Sequence, residues 1–269
     1  MKIPKIKYSK SLTFSEKLNN FFRNISGLTI FNIEFFKQMF TLPIEINQIK
    51  KHMNELGVKT FSIVSIMGVI LGFVLALQSY PVLERFGATD FLPATVSLTI
   101  VRELGPILTA LIFAGRVSSG IGAEISSMRV TEQIDAMEVS AINPFKYLVV
   151  SRVIATTLIL PILSMYVIVI ALLGAFVAVI LTDNMSFIYF QNSVVSAIAY
   201  GDLIPALIKT FFFGYIVGIV GAYKGYTADG GTEGVGRAST TAVVMASLLI
   251  LIVDMIMVKL TLWLWPTLG

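Results

Sequence analysis

Long runs of apolar residues alternate with short polar segments along most of the chain. Residues 60–83 and 153–182 carry no charge, and either run is long enough to cross a hydrocarbon core of about 30 Å as an α-helix, which rises about 1.5 Å per residue. Three other runs are comparably apolar but include charged residues. The pattern predicts an all-α membrane protein with five transmembrane helices, over residues 60–83, 91–115, 153–182, 203–223 and 238–265.

The segment before the first span has the periodicity of a helix with one apolar face. Its apolar residues form two consecutive stripes: Phe14, Leu18, Phe21, Phe22 and Ile25, then Leu28, Phe31, Phe35 and Met39. Basic residues lie close to both stripes, which is typical of an amphipathic helix in the lipid headgroup layer. A helix packed on a protein core is the alternative. We predict a basic interfacial segment over residues 1–55 and a transmembrane domain over residues 56–269.

The composition also indicates a membrane protein. Of the 269 residues, 56% are hydrophobic and only 13% are charged, whereas a soluble domain has about 25% charged residues. The chain has no cysteine, which excludes disulfides and thiolate metal sites. Its single histidine, His52, argues against a histidine-based metal or acid–base site. We expect neither a bound metal nor a nucleic-acid partner.

The distribution of basic residues predicts the orientation of the spans. Ten of the twenty Lys and Arg residues precede Thr60, so the positive-inside rule assigns the N-terminus to the cytoplasm. Five spans then leave residues 183–202, which contain no Lys or Arg, outside, and residues 116–146 and 224–237 inside. The charge bias and the span count agree.

One cytoplasmic loop contains a short acidic segment, for which we predict a helix over about residues 130–142. Thr131 is positioned to cap this helix, Glu132 suits the positive end of its dipole, and the step Asn143-Pro144 ends it. Val130, Ile134, Met137 and Ala141 line one face, and Glu132, Gln133, Asp135 and Glu138 occupy the rest. Such a helix either docks in a groove of a soluble partner or rests on the membrane surface, which the negative inner leaflet disfavours.

Charged residues inside the spans are candidates for function, because each costs about 2.5–3.5 kcal/mol on insertion. Arg102 and Glu103 are adjacent, so on a helix one can face a cavity while the other reaches headgroups or backbone. For Asp254 we expect a polar partner on another helix or subunit. Lys209 lies inside the fourth span. Lys259 is near the outer end of the fifth span, where its side chain can extend to the interface.

Glycines recur in two settings. Gly68 with Gly72, and the set Gly214, Gly218, Gly221 and Gly225, have spacings that allow close helix contact, within one chain or between two. Residues 228–240 are glycine-rich but lack the arrangement of a phosphate-binding loop. We predict a flexible turn there, and energy from ATP would have to come from a partner.

Three stretches of the chain form a recognisable set. They are RELGPILTALIFAGRVSSGIGAEISSMRVTEQIDAMEVSAINPFKYLVVSRV at residues 102–153, LQSYPVL at residues 77–83 and YKGYTADGGTEGVGRASTTAVV at residues 223–244. Together with an aspartate in the last span, Asp254, this set resembles the MlaE-family permeases. These are the membrane subunits of ABC transporters that work with MCE proteins on phospholipids and related lipids. The resemblance runs from about residue 56 to the C-terminus.

The resemblance implies an assembly and two sites. The assembly is a homodimer with a cytoplasmic ABC ATPase on each permease, an MCE-domain protein as a hexameric ring above it, and in some members a small STAS-domain protein. ATP and Mg²⁺ bind to the ATPase, so no cofactor belongs to this chain. The coupling helix that docks in the ATPase corresponds to Glu132, Gln133, Ile134, Asp135, Ala136, Met137 and Glu138. By matching position, Tyr80, Glu103 and Leu104 would face the lipid pocket. We add Leu75 and Leu77 to this pathway as apolar walls for an acyl chain, Arg102 as a contact of the headgroup, and Asp254 as the charged residue of the last span.

The implied function is ATPase-driven transport of phospholipids or related lipids between the inner membrane and the outer envelope, without catalysis by this chain. The implied location is the bacterial inner membrane, or the inner envelope of a plastid, where related permeases occur. Two alternatives use Glu103 and Asp254 as acid or base: a proton-coupled secondary transporter and an intramembrane lipid-modifying enzyme. Against them, the sequence shows no evident inverted repeat and no nucleophile–base set.

Overall fold

A computed structural model of the protein describes residues 14–41, 45–183 and 185–264. Within these ranges the backbone forms eight helices and no strand. They are α1 (Phe14–Met39), α2 (Ile46–Arg85), α3 (Thr89–Val130), α4 (Gln133–Val139), α5 (Phe145–Asp183), α6 (Phe187–Ala197), α7 (Tyr200–Tyr226) and α8 (Gly231–Leu264). Residue 265, the predicted end of the last span, and the side chains of Phe14, Leu18 and Phe21 lie outside the described part.

Five of these helices, α2, α3, α5, α7 and α8, are long and apolar enough to cross a membrane, which confirms the predicted count. The helix of the second span extends beyond the predicted apolar run of residues 91–115, because α3 continues to Val130. The turns after residue 115 are helical because their apolar side chains, Ile121 and Ile125, are buried, while the hydroxyls of Ser119 and Ser126 find acceptors in carbonyls one turn earlier. The added turns carry the helix directly to the acidic loop.

The chain packs as two compact units, each assembled from three stretches. Unit 1 comprises Met1–Met53, Ala114–Thr156 and Tyr215–Ser247. Unit 2 comprises Asn54–Phe113, Thr157–Gly214 and Leu248–Gly269. Long helices therefore contribute one part to each unit.

The core of unit 2 forms where α2, α3, α5 and α6 meet. Its fully buried members include Leu92 and Ile100 of α3 and Ala171 of α5. A Cβ on Gly72 of α2 would lie 1.7 Å from the carbonyl oxygen of Ala171, and one on Gly174 of α5 would lie 2.3 Å from a carbonyl oxygen of α2. The glycine spacing in α2 therefore supports contact between helices of the same chain.

The core of unit 1 is an aromatic cluster that we define as Phe31 of α1, Phe145 of α5, and Tyr223 and Tyr226 of α7. The Phe31 ring lies 4.9 Å from the Phe145 ring and 5.5 Å from the Tyr223 ring, measured between centroids. The second predicted stripe of α1 thus packs on protein through Phe31 and Phe35, both buried. A different face of α1 carries exposed apolar side chains, namely Phe22, Ile25, Ile33 and Phe36.

The glycine-rich stretch at residues 228–240 is not a flexible turn over most of its length, so that prediction is wrong. Gly230 and Gly231 have φ values of 100° and 64°, which turn the backbone, and α8 begins at Gly231. An ion pair one helical turn apart, Arg237 with Glu233 at 2.6 Å, supports the first turns of α8.

Candidate functional site

The second span contains a π-helical turn at Ile100–Leu104, directly before Gly105-Pro106. Proline has no N–H to donate, so it interrupts the backbone hydrogen bonding of the turn before it. Nζ of Lys209 on α7 donates to the carbonyl of Arg102 in this turn at 3.2 Å. π turns are frequent at functional sites, and this one carries Arg102, Glu103 and Leu104, three of the predicted lipid-pathway residues.

Lys209 is the centre of a charged cluster in unit 2. Its Nζ donates to both carboxylate oxygens of Glu103 at 2.8 Å, and only 3% of its side chain is exposed. The same Nζ lies 3.1 Å from Oδ1 of Asp254 on α8, in an ion pair whose angles do not form a hydrogen bond. The expectation of a polar partner for Asp254 on another helix is therefore confirmed. Lys259 is exposed.

Arg102 is oriented by a second ion pair beside this cluster. Its Nε donates to Oδ1 of Asp202 on α7 at 2.6 Å, and Asp202 is almost fully buried. The other carboxylate oxygen of Asp202 accepts from the backbone N–H of Ala199 at 2.8 Å, just before α7 begins. Arg102 thus contacts a carboxylate on another helix, a partner that the sequence analysis did not name.

Sequence reasoning assigned no role to Lys209 or Asp202, although both complete the cluster. A signal was present, because residues 202 and 209 are seven positions apart and so lie on one face of a helix. On that face the acid, Asp202, comes before the base, Lys209. In α3 the base, Arg102, comes before the acid, Glu103. Because charges inside spans usually pair, a search for opposite charges on different spans would have suggested both ion pairs, Arg102 with Asp202 and Glu103 with Lys209.

Two cavities of unit 2 lie on either side of the π turn. The smaller, of about 50 Å³, lies among α3, α7 and α8 and is lined by both Arg102 and Glu103 together with Asp202 and Lys209. It has room for a few water molecules. An acyl chain does not fit in it.

The larger cavity, the apolar groove, has a volume of about 320 Å³. Aliphatic residues of α2 and α3 with Val167 of α5 line it, and Gln78 and Thr109 are its polar members. Leu75 and Leu104 both line the groove. The other two uncharged residues of the predicted pathway do not: Leu77 is 37% exposed, and Tyr80 packs against the core of unit 2. The structure thus places two predicted residues in the groove and the three charged ones in ion pairs, and it leaves Leu77 and Tyr80 outside both.

The predicted coupling helix exists but is shorter than predicted, since α4 covers only Gln133–Val139. The predicted cap is wrong: Thr131 ends α3, where its hydroxyl donates to the Ser127 carbonyl, and Val130 belongs to α3. Glu132 has a φ of 58° and so forms a corner rather than a first turn. A second corner at Ala141, also with φ 58°, ends the segment before Asn143-Pro144 does.

Of the predicted apolar face, only Ile134 is buried, and Met137 is half-buried. The remaining predicted coupling residues are exposed: Glu132, Gln133, Asp135, Ala136 and Glu138. A polar cleft of about 540 Å³ in unit 1 runs along α4 and the end of α7. Acidic side chains dominate its lining, with Arg129 as a basic member. α4 therefore presents an acidic, accessible surface.

Comparison with known proteins identifies clear relatives. A family model described as permease MlaE matches residues 49–260. A probable ABC transporter permease protein of Rickettsia typhi is 36% identical over 240 residues, which cover 89% of this chain and 93% of the relative. The intermembrane phospholipid transport system permease protein MlaE of Haemophilus influenzae is 34% identical and covers 87% and 95%. A probable ABC transporter permease protein of Pyropia yezoensis, ycf63, is 31% identical and covers 81% and 82%.

Proposed function

Because the chain belongs to the MlaE family of ABC transporter permeases, multi-pass membrane subunits that lack an ATPase domain, we propose that it moves phospholipids with energy from a separate ATPase. The observation that carries the proposal is the π turn of α3. It presents Leu104 to an apolar groove and the neighbouring Glu103 to a charged cavity. An amphipathic cargo requires two such surfaces side by side.

The groove suits the acyl part of the cargo. Its volume of about 320 Å³ is within the range of small-molecule sites, and its lining is almost entirely aliphatic. Leu75 and Leu104 contact the chain in this proposal, and Leu77 and Tyr80 extend the apolar path along α2. Arg102, Glu103 and Asp254 meet the polar headgroup. Phospholipid as the cargo is supported by the name of the Haemophilus influenzae relative.

In this proposal the ATPase acts on the permease through α4. We assign ATPase docking to its exposed acidic surface, made by Glu132, Gln133, Asp135, Ala136, Met137 and Glu138, with Ile134 as the anchor to the permease. Closure of the ATPase dimer on ATP pushes the two coupling helices of a permease homodimer together. The spans then narrow the lipid site and expel its contents.

The remaining parts of the proposal concern the assembly and its place. An MCE-domain protein receives or supplies the lipid on the outer side, and a STAS-domain protein can join the ATPase. ATP and Mg²⁺ bind to the ATPase alone. The N-terminus and α4 are cytoplasmic, and the membrane is the bacterial inner membrane or the inner envelope of a plastid. In this orientation the exposed apolar face of α1 lies in the headgroup layer.

The test is purification of the tagged protein from its native membrane in mild detergent, followed by mass spectrometry of bound proteins and lipids. We expect an ATPase, an MCE-domain protein and phospholipid. The double variant Asp135→Lys/Glu138→Lys should lose the ATPase but keep the MCE-domain protein. The charge-matched control, Glu84→Lys/Asp90→Lys, changes two exposed acids between the first two spans, away from α4, and should keep the ATPase. Transport by the purified chain alone, without any ATPase, would contradict the proposal and favour a proton-coupled transporter.

A further inference from the structure

Two basic residues flank the acidic loop, and each donates to a backbone carbonyl at or just beyond the end of a helix distant in sequence. Arg129, close to the end of α3, donates from its guanidinium to the carbonyl of Tyr226, the last residue of α7. Lys146, close to the start of α5, donates from Nζ to the carbonyl of Thr41, just beyond α1. We call these two contacts the Arg129 latch and the Lys146 latch.

Both latches use strong interactions. The last carbonyls of a helix, such as that of Tyr226, lack intrahelical donors and carry the negative end of its dipole, so the Arg129 cation there is favourable. The Arg129 guanidinium also lies 5.8 Å from the centroid of the Tyr226 ring. Lys146 is only 8% exposed, and its ammonium lies 3.3 Å from the Thr41 hydroxyl as well. A buried ammonium is stable only while such acceptors hold it, which makes the contact costly to break.

Neutral hydrogen bonds reinforce the Lys146 latch. The side-chain amide of Asn143 donates to Oε1 of Gln38 in α1 at 3.1 Å. The side-chain amide of Gln48 in α2 donates to the hydroxyl of Tyr147 in α5 at 2.7 Å. The start of α5 is therefore attached to the end of α1 and to the start of α2. The aromatic cluster also joins α1, through Phe31, to α5 and to the end of α7.

The helix between the latches has few attachments of its own. Ile134 is its single buried side chain within the described residues, and Val139 is 90% exposed. Glu132 and Ala141, at its two sides, both have φ values of 58°, a conformation that is strained for residues other than glycine. α4 is thus a short helix between two sharp turns of the backbone. The latches attach the chain to other helices on either side of it.

We propose that Arg129 and Lys146 are positioning residues that transmit displacement of α4 to the spans. The Arg129 latch carries the motion to α7, whose other end holds Asp202 and Lys209 of the charged cluster, and the Lys146 latch carries it to α1 and α2. This inference rests on the proposed function, since it takes α4 as the place where an ATPase pushes. It adds the two residues that transmit the displacement of α4 to the neighbouring helices.

The test uses the complete complex in liposomes and measures ATP hydrolysis and lipid transfer separately. The variants Arg129→Gln and Lys146→Gln remove one cation each. We expect both to keep the ATPase bound and to hydrolyse ATP, while the lipid moved per ATP falls about tenfold, within the range typical of coupling between two sites. Arg129→Lys and Lys146→Arg keep a cationic donor and should restore the ratio. The control Lys37→Gln removes an exposed cation of α1 and should leave it unchanged.

The outcomes separate the two proposals. An unchanged ratio in both Gln variants overturns the inference, and so does loss of the ATPase from them, because the residues would then dock the partner rather than transmit motion. A structural role alone would lower yield and both activities in proportion, which also contradicts it. If Asp135→Lys/Glu138→Lys keeps the ATPase, the proposed function fails instead.

A second measurement remains decisive even if the Gln variants do not fold. The chain contains no cysteine, so spin labels can be attached at introduced cysteines in the otherwise unchanged protein. The pair Val130→Cys/Ala228→Cys reports on the Arg129 latch, and Phe40→Cys/Ile142→Cys on the Lys146 latch. We expect the distance within each pair to stay the same with and without trapped ATP. A distance that changes shows that the latch opens during the cycle and overturns its role.

Discussion

The ammonium of Lys209 lies 2.8 Å from both carboxylate oxygens of Glu103, although the two residues are on different spans. The same ammonium faces Asp254 at 3.1 Å and donates to the backbone carbonyl of Arg102 at 3.2 Å. One buried cation therefore contacts two carboxylates and a carbonyl of the π turn. The geometry of α3 at its predicted lipid-contacting residues depends on a side chain of α7.

Removal of this cation should destabilise the protein strongly. Lys209→Met leaves Glu103 and Asp254 close together without a counter-charge, and breaking a buried ion pair in this way costs about 3–5 kcal/mol. We expect a clear fall in Tm of the purified protein in detergent, measured by a thermal unfolding scan. The triple variant Lys209→Met/Glu103→Gln/Asp254→Asn removes all three charges and should regain most of the loss.

The matched control is Lys259→Met, which removes an exposed lysine from α8. It should leave Tm nearly unchanged, because an exposed lysine contributes little. Equal Tm values for Lys209→Met and Lys259→Met would contradict a stabilising role for the cluster.

Filling the apolar groove should displace lipid without unfolding the chain. Leu104→Trp adds bulk to a half-buried side chain that lines the groove, and the volume of about 320 Å³ can accept it. We expect less phospholipid per protein after purification, measured by mass spectrometry, with the ATPase still bound. Leu248→Trp, at a residue of α8 that is 56% exposed, is the control. The same lipid content in both variants would exclude the groove as the acyl site.

The close packing of α2 on α5 predicts intolerance of a single methyl group. In Gly72→Ala the new Cβ would lie 1.7 Å from the carbonyl oxygen of Ala171, so the two helices must separate. We expect a loss of stability at or above the upper end of the about 1–3 kcal/mol typical of overpacking, seen as a lower Tm. Gly236→Ala, at a helical glycine with open space around it, should be neutral or slightly stabilising. A tolerated Gly72→Ala would falsify this packing.

The exposed apolar face of α1 should contact lipid, whereas α4 should contact water. Ile33 is 64% exposed on that face, and Val139 of α4 is 90% exposed. With Trp263 and Trp265 replaced by Phe, we expect brominated phospholipid to quench the fluorescence of Ile33→Trp and to leave Val139→Trp unaffected. Quenching of both would place α4 on the membrane surface, and quenching of neither would exclude an interfacial position for α1.

Much of the fold follows from local pattern. The five spans are set by runs of apolar residues that are long enough to cross a bilayer, and this pattern needs no knowledge of packing. Helix ends were less predictable. The extension of α3 to Val130 depends on the burial of Ile121 and Ile125, and the ends of α4 depend on positive φ at Glu132 and Ala141, which neither residue type favours.

The sequence by itself determined the class of protein, the number of spans, the acidic loop and the residues that a bilayer cannot leave unpaired. Only the tertiary structure decided which charges meet. Arg102 and Glu103 are neighbours in the chain, yet each pairs with a residue about a hundred positions away, on α7. The reason is physical: hydrophobic length is a property of each segment alone, whereas an ion pair depends on the rotation and height of two helices, which packing of the whole chain fixes.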